Sequence, residues 1–145
     1  VIYWDTSGLL KLYVNEADSA YFVGMVAASS QPLLACELAR VELFSALSRK
    51  ELAAELPPGE RDRIFANFQD HIDRGRLLIL PVGRDVFQEA IRLTRLGHGQ
   101  QPPVLVRSLD AIHIAAALMA GATTMVATDH RLRDLATCAG LRLRP

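Results

Sequence analysis

The 145-residue chain is poor in cysteine and lysine and has one tryptophan. Its two cysteines, Cys36 and Cys138, lie far apart, with no metal-ligand spacing and no redox-pair motif. That argues against a disulfide-stapled scaffold and a thiolate metal site, and a reducing, cytoplasmic compartment is expected. Only Lys11 and Lys50 are lysines, and the remaining basic residues are arginines, which suit bidentate phosphate contacts. Genomic base composition explains the same bias without function. Sixteen acidic residues balance sixteen basic ones, so whole-molecule charge steers the chain toward neither nucleic acid nor membrane.

Other absences narrow the chemistry further. No apolar run is long enough to span a bilayer, so no membrane partner is expected, and no stretch reads as a signal peptide. The chain starts at Val1 rather than methionine, which suggests the removal of a residue or two. Gly-rich phosphate loops, Gly-x-Ser-x-Gly elbows and Cys/His zinc spacings are missing, so nucleophilic and zinc chemistry are poor bets. There is no internal repeat, low-complexity tract or linker, and residues 1–145 read as one domain. A chain of this size can bury about 68–70% of its unfolded surface without staples. The hydrophobic share of 50% is high enough to suggest that a partner, a second copy or another chain, covers some apolar surface.

Periodicity gives alternating strands and helices. The first strand is Val1 to Trp4, and a helix starts at Asp5-Thr6-Ser7. After a break at Asn15 to Asp18, a second helical segment covers Ala17 to Ala28. Pro32 to Ala35 is a strand, Glu37 to Leu56 a helix closed by Pro57-Pro58-Gly59, and Glu60 to Arg76 a helix with Ile64, Phe65, Phe68 and Ile72 on its buried stripe. Leu77 to Val82 is a strand, Arg84 to Gly97 a helix, and Gly97 to Pro103 a loop. A helix from Ser108, a strand through Met125, a helix from Asp129 and a strand at Leu141 to Leu143 complete the chain. This order predicts a three-layer α/β/α sandwich around a mostly parallel sheet.

Four carboxylates fall at or near the carboxyl ends of these strands, where open α/β sheets bind ligands. Asp5, Asp110 and Asp129 stand in helix-start positions, where capping or a helix dipole accounts for each singly. Glu42 lies among apolar neighbours, and a solvated Glu is the plain alternative. Together, four acids facing one crevice need a neutralising cation. All-oxygen ligation indicates Mg²⁺ or Mn²⁺, which can activate a bound water and stabilise the oxygens of a phosphodiester in hydrolysis. His113 reads as a packed, hydrogen-bonded core residue and His130 as exposed in a first turn.

The segments Asp5-Thr6-Ser7, Cys36-(x)5-Glu42-Leu43 followed by Ser45-Ala46-Leu47, Ser108-Leu-Asp110-Ala-Ile-His-Ile-Ala-Ala-Ala and Asp129-His-Arg-Leu132 resemble, in order, the PIN-domain nucleases. The likeness is greatest to the VapC-type toxins of bacterial toxin–antitoxin pairs. It implies a metal-dependent endoribonuclease with Asp5, Glu42, Asp110 and Asp129 as catalytic, metal-binding acids. It also implies a homodimer and a cognate antitoxin whose tail covers the site. Such a partner is expected to insert a basic side chain among the carboxylates, because that neutralises them without metal. Cys36 stands where the family commonly has serine and Ala127 where a threonine often lines the site, with Thr128 beside it as a substitute. Thr6 and Ser7 are further candidates for supporting contacts, and Lys11, Arg40 and Arg131 for phosphate contacts, each within a turn or two of an acid. A catalytically inactive RNA- or protein-binding module is the alternative. A phosphoacceptor receiver domain fits poorly, because the third strand ends in Pro81-Val82 and no lysine follows Lys50.

Overall fold

The computed structural model describes residues 1–145. Its elements are β1 (Ile2–Trp4), α1 (Thr6–Tyr13), α2 (Ser19–Ala27), β2 (Leu33–Cys36), α3 (Leu38–Leu52), α4 (Glu60–Asp73), β3 (Leu77–Leu80), α5 (Arg84–His98), α6 (Ser108–Met119), β4 (Thr124–Val126), α7 (His130–Cys138) and β5 (Arg142–Arg144). The five strands form one sheet in the order β3-β2-β1-β4-β5, and every ladder is parallel, as the strand–helix alternation predicts. Register is fixed by Tyr3 opposite Leu34 and Met125, and by Met125 opposite Leu143.

Strand residues alternate between two separate cores, because successive side chains leave a strand on opposite faces. Tyr3, Leu34, Cys36 and Met125 point to the side covered by α5, α6 and α7, where they pack with Leu93, Ile114, Leu132 and Leu135. Trp4, Ala35, Leu77 and Val126 point to the other side and meet Leu9, Phe22, Leu43, Leu47 and Phe68 of α1 to α4. This is the expected α/β/α sandwich. β1 lies at its centre, with the crossover through α1 and α2 on one face and the α7 crossover on the other. The strand order therefore reverses between β1 and β4, and a crevice opens at their carboxyl ends.

Close backbone approach at this crevice depends on Gly8. A Cβ there would lie 2.9 Å from Val126 Cγ1 and 3.1 Å from the Val126 carbonyl oxygen, so the first turn of α1 rests directly on β4. Some elements end earlier than periodicity suggests, for local reasons. α4 stops at Asp73 rather than Arg76, because Gly75 takes a left-handed φ of 69°. The Gly75 and Arg76 N–H groups then donate back to the Ile72 and His71 carbonyls, which closes the helix. α3 ends at Leu52 rather than Leu56, where Ala54 turns left-handed at φ 58° and the Glu55 and Leu56 N–H groups both return to the Lys50 carbonyl. No helix is long and apolar enough to cross a membrane.

Candidate functional site

Asp5 and Asp129 each do two things at once. Asp5 caps α1, its Oδ2 accepting from the Ser7 backbone N–H at 3.0 Å and the Ser7 hydroxyl at 2.6 Å. Its Oδ1 takes no part in the cap and lies 3.6 Å from His113 Nε2. Asp129 caps α7 by accepting from the Arg131 N–H at Oδ1, 2.9 Å away, while Oδ2 turns into the crevice. Capping leaves one oxygen of each carboxylate directed elsewhere. The Ser7 hydroxyl also accepts from the Thr128 N–H at 3.0 Å, tying the start of α1 to the β4–α7 junction.

Asp110, in the first turn of α6, has an almost completely buried side chain. Arg107, the residue before that helix, donates to it from Nε at 2.8 Å and from Nη2 at 3.3 Å, and Nη2 also donates to Asp129 Oδ2 at 2.9 Å. Burial pushes the Asp110 carboxyl pKa up; Arg107 opposes the rise and the charges of Asp5 and Asp129 add to it, so the net shift is upward.

Glu42 projects from α3 to the same crevice, accepting from the Thr6 hydroxyl at 3.0 Å and bonding His113 Nε2. His113 is fully buried; its Nδ1 meets the Tyr3 hydroxyl at 2.7 Å and the Cys36 sulfur at 3.6 Å. Burial works against an imidazolium, but hydrogen bonds to Cys36 and Glu42 and the charge of Asp5 outweigh it and raise the pKa of His113 well above its ordinary value. Glu42 moves the opposite way: burial would raise it, and the His113 bond and charge, with Thr6, bring it down. These shifts favour an ion pair beneath the pocket. His113 is the buried, hydrogen-bonded residue its sequence context suggests, but its partner is one of the four acids.

Asp5, Glu42, Asp110 and Asp129 thus line one pocket with Thr6, Ser7, Arg49 and Arg107. A cleft of about 620 Å³ elsewhere, between Tyr13, Val23, Val26 and Arg76, is lined by no acid, so size does not locate the chemistry. Three of the proposed supporting cations do not line the pocket. Lys11 is bound by Glu16 and Asp18, Arg40 by Glu37 and Gln69, and Arg131 supplies only its backbone N–H to the Asp129 cap. The cations that do line it are Arg49 and Arg107. Both had a signal in the sequence: Arg107 precedes Asp110 by three positions, and Arg49 follows Glu42 by seven, two turns along the same helix face. Thr128 is half-buried, Ala127 is fully buried, and His130 is exposed.

The donor set suits a hard divalent cation, which prefers carboxylate and water oxygens. The pocket's volume of about 280 Å³ accommodates an ion with several of its waters, each occupying about 30 Å³. No three His, Cys, Asp or Glu side chains are arranged to hold one ion in this conformation. The guanidinium of Arg107 stands between Asp110 and Asp129, and Thr6 and His113 hold Glu42. Mg²⁺ commonly uses only one or two carboxylates and keeps its waters, so a pocket lined by four carboxylates suits it without a closed three-ligand cage.

Comparison with known proteins bears on the family and the fold. The chain is 32% identical over 137 residues to ribonuclease VapC47 of Mycobacterium tuberculosis, covering 91% of this chain and 87% of that protein. Its fold matches the M. tuberculosis toxin VapC20, described as cleaving the sarcin–ricin loop, at a TM-score of 0.73 and 17% identity, with 100% of both chains covered. It also matches VapBC2 of Rickettsia felis, solved with a DNA fragment from its promoter, at a TM-score of 0.67 and 16% identity, covering 99% of this chain and 98% of that one. The PIN domain model matches residues 2–137, and the chain therefore belongs to the PIN domain family.

Proposed function

We propose that this chain is a divalent-metal-dependent endoribonuclease and the toxin of a type II toxin–antitoxin pair. The observation that carries the reading is the meeting of four carboxylates from four separate segments in one pocket at the reversal point of the sheet. The ribonuclease relative and the fold of the sarcin–ricin loop toxin support RNA as substrate.

Asp5, Asp110 and Asp129 would hold Mg²⁺ or Mn²⁺, with Glu42 at its margin. When bound, the ion supplies a more acidic water and a counter-charge for phosphodiester oxygens. The protein's own contribution is positional. Ser7 fixes the rotation of Asp5 through two bonds to its Oδ2, and Thr6 and His113 hold Glu42 ready to orient a water. Arg49, exposed at the rim, offers a guanidinium to an approaching phosphate. A protein partner, an antitoxin or a second copy, would cover exposed apolar side chains such as Phe87, Ile91 and Leu109.

The test is cleavage of a defined RNA by the purified chain, with Mn²⁺ or Mg²⁺ and with EDTA. Cleavage should require the ion and be lost in Asp5→Asn with the fold retained. Undiminished cleavage in EDTA, or none with any divalent ion, would overturn the reading, and RNA binding without turnover would establish the inactive-module alternative.

A further inference from the structure

Arg107 occupies the oxygens that a metal ion would need. Its Nε and Nη2 engage both oxygens of Asp110, and Nη2 also takes the Asp129 oxygen left over from the α7 cap. The carboxyl of Asp110 is buried, while the Arg107 side chain that binds it is 56% exposed. The clamp is therefore attached to a buried anion with open solvent on its other side. Nothing in the helix requires this arrangement: Arg107 is the N-cap of α6 and its side chain makes no capping bond.

Resting on the metal reading above, we infer that Arg107 is a built-in cation that competes with the divalent ion, so that guanidinium and metal occupancy of Asp110 and Asp129 are mutually exclusive. In the clamped state the chain neutralises part of its own acid cluster and keeps Asp110 and Asp129 engaged. Metal loading exchanges one cation for another. The clamp thereby sets the metal concentration at which the site becomes occupied. A planar fork is suited to this, since it binds a carboxylate through two parallel bonds while remaining a weaker counter-charge than a divalent ion.

Removing any positive charge from the pocket would favour metal binding to some extent, so a control must separate charge from clamping. Arg49 provides it: it lines the same pocket but makes no bond to any of the acids. The readout is Mn²⁺ binding followed by loss of the free-ion electron paramagnetic resonance signal, with thermal melts to verify folding. Arg107→Gln should bind Mn²⁺ about tenfold more tightly than wild type, equivalent to about 1.4 kcal/mol. Arg49→Gln should change the affinity by less than about twofold, as for a screened rim charge. Arg107→Lys keeps the charge but loses the fork, and should fall between wild type and Arg107→Gln. If Arg107→Gln binds like wild type, or Arg49→Gln tightens binding equally, the clamp is wrong and the metal site stands. If neither wild type nor Arg107→Gln binds Mn²⁺, the metal reading fails and takes the clamp with it.

Discussion

Replacing Asp110 by Asn should remove activity and stabilise the metal-free fold. The carboxyl is almost fully buried and near Asp5 and Asp129, and its pKa is shifted upward despite the two bonds from Arg107. A raised pKa means that folding favours the neutral form, so the ionised group weakens the native state at all pH values above its ordinary range. Asn is nearly isosteric and neutral. Relief of the desolvation of a buried charge, with a smaller part from repulsion by Asp5 and Asp129, is worth on the order of 1–2 kcal/mol. Against this stands the lost charge assistance from Arg107, about 0–1 kcal/mol for a guanidinium so open to solvent. The balance is a gain of about 1 kcal/mol, or about 2–4 °C in Tm for a domain of this size. The assay is a thermal or urea melt at pH 7.5 in EDTA, repeated with Mn²⁺ and paired with RNA cleavage. With Mn²⁺ at about a hundred times its Kd, wild type should gain about 2.7 kcal/mol and overtake the variant, which lacks a ligand. An Asp110→Asn protein less stable than wild type in EDTA by 1 kcal/mol or more would refute the charge argument, and one that cleaves RNA at the wild-type rate would remove Asp110 from the chemistry.

His113→Gln should flatten the pH dependence of stability. His113 is raised above its ordinary 6.5 by Cys36, Glu42 and Asp5 against the opposing effect of burial, so its contribution is complete below pH 6.5 and is lost as pH climbs toward the folded-state value. Wild type in EDTA should therefore lose up to about 1.4 kcal/mol per pH unit above that point, and urea midpoints that decline no more steeply than in the variant would contradict the ion pair. Gly8→Ala should destabilise by about 1–3 kcal/mol, because the Cβ meets the Val126 backbone 3.1 Å away as well as its side chain, and should reduce cleavage by displacing Asp5. A melt within 0.5 kcal/mol of wild type would show that α1 can shift off β4.

Periodicity and turn residues carried the fold because each helix and strand announces its own type locally. Strand ends were less legible: Pro81 and Val82 continue an apolar run, yet β3 stops at Leu80, since pairing depends on a neighbouring strand that lies elsewhere in the sequence. The four acids were legible as helix-start and face positions, and the topology accounts for their meeting. The cations were not. Proximity in sequence selected Lys11 and Arg40, whereas in three dimensions each is neutralised by acids on its own side, Glu16 and Asp18 or Glu37. The hydrogen bond between Tyr3 and His113 spans 110 positions, and the bond of His113 to Glu42 spans 71. No local pattern encodes either, so His113 was readable as buried but not as a support for Glu42.

The hydroxyl of Ser7 joins two helix starts that are 121 positions apart in the chain. Because it holds Asp5 with its proton and the β4–α7 junction with its lone pair, Asp5 and Asp129 ride on a common chassis. Glu42 stands apart on α3 and reaches that chassis only through the Thr6 hydroxyl, with His113 holding it from beneath. A force applied to α3 would therefore retune the distance of the glutamate while the spacing of those two aspartates stayed constant, which makes α3 the adjustable wall of an otherwise rigid cage.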